Sequence, residues 1–486
     1  MKKLMDEKYL TAIVIVSMVA FPLLELIGNI FRKTFFMQEQ YLSLVGLLWS
    51  IFMIIYLILC IFKKEYRPKK IVLSDFFIIT SIIFCVISII FSKHIRFSLT
   101  GYKNYSETPL QVLGYFGLFI MCTNIKEEKN RKSILYTFLI LGILEAAVAF
   151  LQRFDMWPTL CYLEPEGHRI NHMAFGFTQN CNYFAAVALI FTSLFATKFI
   201  YSETIKEKIF CLFGSIICCL SAFLTTTNIS WLGTLAILFG ILFIEFRIYF
   251  SNKDKQILRT HIKRFLVILV CFLGCFLTVT IPSGQLKKDT AQFKKDIQDI
   301  AKENKNSEEN NVSNKPGSIY EANKFNKFGS GRGAIWRAGW YGFKKYPLTG
   351  VGFDIYNYSF ILAPADVKFS LQNKAHCEYF HMFVTQGVFS GINYLLFCFY
   401  CCYFPLKKIL ESKSEFGKSN LTKIFLIALF AYFVQALINS SVTNVAPYKW
   451  ILMGLILPRV EQTELKVIWS KIKNLSRKEI KFKKSK

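Results

Sequence analysis

CNYFAAVALIFTSLFATKFIYSETIKEKIFCLFGSIICCLSAFLTTTNISWLGTLAILFGILFIEFRIY, residues 181–249, holds three long apolar blocks joined by one charged connection and one Thr-rich turn. A hydrocarbon core of roughly 30 Å needs about 20 apolar residues per helix. Inside lipid every backbone polar group must find its partner within the segment, so blocks at 181–201, 209–227 and 229–249 are expected to be membrane-spanning helices. Working outward, similar blocks occur at 10–31, 41–62, 71–92, 109–125, 133–151, 264–282, 380–404, 421–440 and 445–458. The composition agrees: 53% hydrophobic residues, 50 Phe and only 19% charged residues are not those of soluble domains. The expected fold class is an all-α integral membrane protein of about twelve transmembrane helices.

The net charge of +27 raises the question of nucleic acid, but the Lys and Arg flank apolar blocks and form no aromatic-laced patch, so no nucleic-acid partner is expected. They fall instead in alternate connections: KKEYRPKK (63–70), KEEKNRK (126–132), RIYFSNKDKQILRTHIKR (247–264) and KKILESKSEFGKSN (407–420). Basic connections mark the cytoplasmic side. Met1-Lys2-Lys3 before an apolar run resembles a signal peptide, yet that run extends to Phe31, contains Glu25 and lacks a small-residue cleavage site, so it reads as the first span. The tail from Arg459 to Lys486 carries ten Lys and Arg, and an even span count returns it to the cytoplasm beside the N-terminus, either as an amphipathic helix on anionic lipid or as a solvated tail. The organisation is then spans 1–9 over residues 1–282, an extracytoplasmic loop over 283–379, spans 10–12 over 380–458 and a basic tail over 459–486.

Of the 14 Cys, all but Cys161, Cys181 and Cys377 lie within or beside apolar blocks without metal spacing, and read as small buried hydrophobes. Acids inside the blocks are sparse: Glu25, Asp75 and Glu145 each read equally well as a proton-pathway residue or a helix-to-helix hydrogen-bonding partner.

The long hydrophilic loop opens with KKDTAQFKKDIQDIAKENK, whose Phe293, Ile297 and Ile300 are spaced for an amphipathic helix on the outer leaflet. Its second half concentrates the chemistry: GSGRGAIWRAGWYGFKKYPLTGVGFDIYNYSF (329–360), then NKAHCEYFHMFVTQGVFSG (373–391). On a helix over 333–345, Trp336 and Trp340 stack at i and i+4, with Arg337 and Lys344 on a neighbouring face. Arg forks onto phosphate, and an aromatic face gives a sugar ring a flat platform, so the surface suits a glycan on a lipid diphosphate; an interfacial aromatic belt with Arg on headgroups is the alternative. His376, just before the block at 380–404, is a candidate general base for an acceptor hydroxyl, or a hydrogen-bonded interface histidine. Cys377, Glu378 and His381 do not make a metal set with it, and Glu378 is kept as a substrate-binding candidate. With neither metal nor other cofactor expected, Arg332 and Arg337 are the candidates for stabilising a departing diphosphate. A second outer segment, QRFDMWPTLCYLEPEGHRINHMAFGFTQN (152–180), adds His168, Arg169 and His172 and leads into Asn182; Arg169 and Asn182 are substrate-lining candidates, with helix capping as the simpler role.

These residues resemble the O-antigen ligase and polysaccharide polymerase family of bacterial membrane glycosyltransferases, from the third or fourth span to the twelfth. Four places carry the resemblance. FGFTQNCNYFAA (175–186) is similar to the family's Asn-x-Asn entry to a central span, and TTTNISWLG (225–233) to its tight outer turn. SGRGAIWRAGWYGFKKYPLTGVG (330–352) is similar to its Arg-x-x-x-Trp segment followed by Pro-Leu-x-Gly-x-Gly, and AHCEYFHMFVTQGVFSG (375–391) to its His-Asn-x-x-Leu pattern with Gly eleven residues after the His. The resemblance implies a GT-C type fold in the bacterial cytoplasmic membrane, an undecaprenyl-diphosphate-linked glycan donor and a glycan or lipid-linked acceptor. It also implies inverting, metal-independent transfer with His376 as base and Arg332 and Arg337 on the diphosphate. The chain departs from the pattern in two places: Asn228-Ile229 stands where the family commonly has Ser-Arg, and Cys377 where it has Asn.

Within this reading a polymerase joins lipid-linked repeat units, whereas a ligase moves finished glycan onto lipid A core or protein. A Lys/Ile/Asn-rich composition points to an AT-rich genome without a lipid A outer membrane and favours the polymerase. The non-enzyme alternative, a flippase or transporter of the same lipid, calls for a charged central pathway and two related halves, neither of which is visible in the sequence.

Overall fold

The computed structural model describes residues 6–30, 36–63, 70–101, 106–154, 174–178, 180–282, isolated positions between 284 and 298, 324–364, 367, 372–411 and 414–470. The helices in chain order are α1 (Glu7–Ile30), α2 (Phe36–Phe62), α3 (Leu73–Ile90), α4 (Ile95–Thr100), α5 (Pro109–Thr123), α6 (Glu128–Arg153), α7 (Cys181–Tyr201), α8 (Ile205–Leu224), α9 (Asn228–Asn252), α10 (Lys255–Val279), α11 (Phe328–Lys345), α12 (Tyr358–Leu362), α13 (Glu378–Glu411), α14 (Glu415–Lys418), α15 (Asn420–Gln435) and α16 (Ala446–Leu455). Every apolar block of the sequence is helical, and no named strand occurs among the described residues. Nine helices of the described residues are long and apolar enough to cross a membrane, by length and composition. Pro109–Thr123 and Asn420–Gln435 are apolar but shorter, and α16 has ten residues. Their ends are set locally: a capping box at Thr108 with Pro109 at the first turn starts α5, and the chain leaves helical geometry between Gln435 and Ala446.

The bundle is centred on α7. Its sequence is apolar all round, and it is buried almost throughout, packed by α8, α15, α6 and α9. Helices α2 and α5 cross at Gly46 and Gly114, where a methyl group on Gly46 would lie 1.7 Å from the Leu110 carbonyl oxygen; small residues at such crossings replace the hydrophobic drive that lipid removes. The outer rim is apolar and exposed, as Leu44, Leu48, Ile51, Ile58 and Val270 illustrate, and lipid is the solvent that suits it. Two of the intramembrane acids bind groups of connecting segments rather than of another helix. Asp75 receives both Nη atoms of Arg459, at 2.6 and 2.7 Å, and Glu145 accepts the Phe177 N–H at 3.1 Å. The side chain of Glu25 lies outside the described residues, as do most of the expected amphipathic helix at 287–305 and the tail beyond Ser470.

Helix α13 is broken at Gly387, whose φ of 85° is left-handed. The break frees backbone groups that the loop after α11 takes up: Val351 N donates to Val384 O at 2.9 Å, Gly352 N to Thr385 O at 3.2 Å, and Val388 N to Pro347 O at 2.8 Å. Ser88 Oγ adds a bond to Thr385 O at 2.7 Å from α3. The two chains meet too closely for side chains, since a methyl on Gly387 would lie 2.1 Å from Leu348 O and one on Gly350 (φ +73°) 2.2 Å from the Thr385 carbonyl carbon. The Pro-Leu-Thr-Gly-Val-Gly stretch and the glycine eleven residues after His376 are therefore two halves of one joint. Gly387→Ala combines a left-handed backbone with a backbone overlap, and should lower stability by about 1–3 kcal/mol. Thermal unfolding of the purified protein in detergent checks this, and an unchanged midpoint would show that the joint gives way freely.

Candidate active site

The 310 turn Lys324–Lys327 and α11 start the site. They lie so close that a methyl on Gly333 would be 1.7 Å from Phe325 O, which sets the angle at which α11 enters. The observed helix begins at Phe328, five residues before the expected start, and the two tryptophans part company along it. Trp336 turns inward, its Nε1 donating to Ala375 O at 2.9 Å, beside the cluster of Ala338, Tyr356 and Phe360. Trp340 is 48% exposed, stacked on Phe343 with Lys344 Nζ 5.3 Å from its ring. Arg337 Nη1 donates to Asn326 Oδ1 at 3.3 Å. Arg332 is half-buried: its Nη2 reaches Ile438 O at 3.5 Å and its Nη1 Gly329 O at 3.4 Å, while its Nε is buried with no protein partner.

Trp336 brings α11 to the residue before His376. His376 takes a left-handed backbone (φ +49°) and is half-buried. Burial first, then the positive charge of Arg332 and the neighbouring His381, lower its pKa to about 4. The imidazole is thus neutral near pH 7, the form that accepts a proton.

Beneath it lies a buried charge network that the sequence reading did not single out. Lys374 Nζ bonds Asp354 Oδ1 at 2.7 Å and Glu107 Oε2 at 3.1 Å, and His381 Nε2 meets the same Asp354 oxygen at 2.8 Å. Tyr356 stacks on the His381 ring, and its hydroxyl donates to Ile335 O at 2.8 Å. Burial pushes the Asp354 carboxyl up, but Lys374 and His381 outweigh it and hold the group below its usual range. Burial opposes the charge of Lys374 as well, and the two carboxylates raise its pKa regardless. The network ties the segment before α5, the loop after α11 and α13 into one unit.

Glu378, the first residue of α13, is buried and occupied: Lys449 Nζ lies 2.5 Å from its Oε1, Tyr432 donates to Oε2 at 2.7 Å, and Tyr394 also donates to Oε1. Its own N–H donates to Ala436 O at 2.9 Å. Asn182 sits at the first turn of α7, with Asn180 capping its N–H at 2.9 Å and its carbonyl accepting from Asn439 Nδ2 at 3.0 Å. In the Thr-rich turn between α8 and α9, Thr225 and Ser230 hydroxyls meet at 2.9 Å and Thr226 takes φ +52°. Arg169, His168 and His172 lie outside the described residues. Among the described residues no group of three or more His, Cys, Asp or Glu is placed to hold a metal ion.

Arg332, Glu378 and Asn182 thus meet at the connection between α15 and α16, with His376 beside Arg332 and Trp336 bonded to the residue before His376; the sequence reading left only 441–444 of that connection between two spans. Lys449, a charge inside an apolar block, was the available signal.

A helical multi-pass membrane protein with a cationic, aromatic segment folded over one end of the bundle is the class these features define. Residues 213–395 match the model of the O-antigen ligase family, a stretch that runs from within α8 through most of α13 and contains the Thr-rich turn, α11, the glycine joint and His376. The matched stretch is less than half of the chain, and it supports an O-antigen ligase family assignment, a family of glycosyltransferase-like enzymes that implies lipid-linked glycan substrates in general. No curated protein matches the chain.

The low pKa of His376 has a kinetic signature. If His376 is the base of a transfer reaction it must be unprotonated, and protonation sets in only as pH falls through about 4, so the rate should stay level from pH 8 to about 5 and fall below it. A kcat/KM profile of the purified protein reads this directly; half-loss near 6.5, where an ordinary imidazole titrates, would contradict it.

Proposed function

We propose that this protein transfers glycan from an undecaprenyl-diphosphate carrier to an acceptor hydroxyl during surface polysaccharide assembly, with polymerisation of lipid-linked repeat units as the preferred reaction. The observation that carries the proposal is a neutral imidazole, His376, beside a cation, Arg332, whose buried Nε has no protein partner. In the proposed step the acceptor oxygen attacks the anomeric carbon and its proton passes to His376. The bond from that carbon to the diphosphate oxygen breaks, and the diphosphate leaves with the electron pair. Attack from the face opposite the leaving group gives inversion. Arg332 and Arg337 hold the growing negative charge without a metal ion, as fixed cations in a low-dielectric site do effectively.

Trp340 and Lys344, exposed on α11, are proposed to meet the glycan or its headgroup, with Asn182 and Arg169 as further substrate-binding residues. Trp336 and Glu378 already have protein partners, and they act in this scheme by fixing Ala375 and the start of α13 on either side of His376. The basic connections favour an extracytoplasmic site, with both termini in the cytoplasm of a bacterial cell. A GT-C type architecture suits this arrangement.

Incubating purified protein with one lipid-linked repeat unit and no other acceptor separates the readings. A ladder of longer products is the expected result; product only after lipid A core or a protein acceptor is supplied would mean a ligase. His376→Ala should reduce either reaction at least a hundredfold while glycan-lipid binding persists. Wild-type rates in that variant would remove the catalytic assignment and reopen the flippase reading.

A further inference from the structure

Residues 438–445, the connection between α15 and α16, read Ile-Asn-Ser-Ser-Val-Thr-Asn-Val, a polar run between two apolar helices. Its backbone is held from several sides. Asn439 Nδ2 donates to Asn182 O and to Gln435 Oε1, and its Oδ1 takes the Ser440 N–H at 2.9 Å. Asn444 Nδ2 donates to Thr178 O at 3.1 Å, Ser441 Oγ receives Lys449 Nζ at 3.2 Å, and Ile438 O faces Arg332. Yet three oxygens in this short stretch are buried without a protein partner: Ser440 Oγ, Thr443 Oγ1 and Asn444 Oδ1. Their residues are 2%, 2% and 6% exposed.

Each such atom has given up its bonds to water and destabilises the fold if nothing replaces them. Folded chains rarely keep several together without a use for them. The segment is tied down by its other polar atoms, so these three are not oxygens that a loose loop failed to place. They adjoin Arg332 through Ile438 and the start of α13 through Ala436, within the corner assigned above to glycan transfer. An acyl chain would leave all three unbonded. Two hydroxyls, each donor and acceptor, together with a carbonyl acceptor match the hydroxyl groups of a pyranose.

We infer that residues 438–445 form a saccharide-binding wall of the site, in which Ser440, Thr443 and Asn444 hydrogen-bond sugar hydroxyls of a polyprenyl-diphosphate-linked oligosaccharide. The inference rests on the glycan-transfer reading and adds the residues that recognise the sugar.

Thr443→Val and Ser440→Ala test it, because each removes one unpartnered oxygen with little change of shape. Three readouts on the purified full-length chain are needed: thermal unfolding, KM or binding for the glycan-bearing lipid diphosphate, and binding of the sugar-free polyprenyl diphosphate. The expected result is an unfolding midpoint equal to or above wild type, with roughly three- to tenfold weaker use of the glycan lipid per oxygen removed and unaltered binding of the sugar-free lipid. Unchanged KM overturns the inference whether the midpoint rises, holds or falls, since the oxygens would then serve the fold or nothing. Equal weakening for both lipids overturns it too, by placing the segment on the diphosphate. If the wild-type protein converts no lipid-linked glycan, the functional reading fails, and the two binding measurements still decide whether these residues recognise sugar.

Discussion

The site depends on a break in one helix. Were α13 continuous through Gly387, Val384 and Thr385 would spend their carbonyls on the next turn, and the loop Pro347–Gly352 would lose its backbone partners in α13. The break instead lets that loop enter the helix ladder. This puts α11 on one side of the joint and His376 on the other, with Trp336 closing the ring through Ala375. Two glycines are required because the backbones approach within distances that exclude any Cβ. The residues that the chemistry needs are therefore placed by residues with no chemistry of their own.

Electrostatics completes what the joint begins. Two buried clusters, one of Lys374, Asp354, Glu107 and His381 and one of Lys449 and Glu378, pair opposite charges, although Glu107 Oε1 and His381 Nδ1 in the first have no partner. A buried pair costs desolvation energy, and removing one partner costs more than the pair contributes, so such clusters fix geometry more than they add stability. The unpaired groups stand out against them. Arg332 keeps a bare Nε, His376 is held neutral, and the connection between α15 and α16 carries unpartnered oxygens.

Much of this was legible in the sequence. Apolar block length located the nine long helices of the described residues, because lipid allows few alternatives for an apolar run of that size, while the blocks at 109–125, 421–440 and 445–458 hold shorter helices than a span needs. Arg332, Trp336 and His376 stood out as polar or cationic groups in one hydrophilic stretch, and the structure brings them together. The joint at Gly387 was visible only as a spacing, since a glycine's neighbours across a break are decided by tertiary contact. The Lys374 network was invisible for the same reason: Glu107 lies 267 positions from its partner. Of residues 438–445 only 441–444 fell between the expected spans, because a window long enough to find a span runs over the edges of a short polar connection. Trp340 and Trp336, paired by helical periodicity, were separated by the packing of one face against the Tyr356 cluster.

The central claim is that α11, His376 and residues 438–445 surround one ligand, a diphosphate-linked glycan. Photo-crosslinking with a polyprenyl diphosphate oligosaccharide carrying a photoreactive group on its first sugar tests it most directly, with labelled peptides mapped by mass spectrometry. The account predicts label on peptides containing residues 332–340 and 438–445, competed away by unmodified glycan lipid. Competable label confined to peptides from the opposite end of the bundle, such as those around Arg131 or His261, would contradict it.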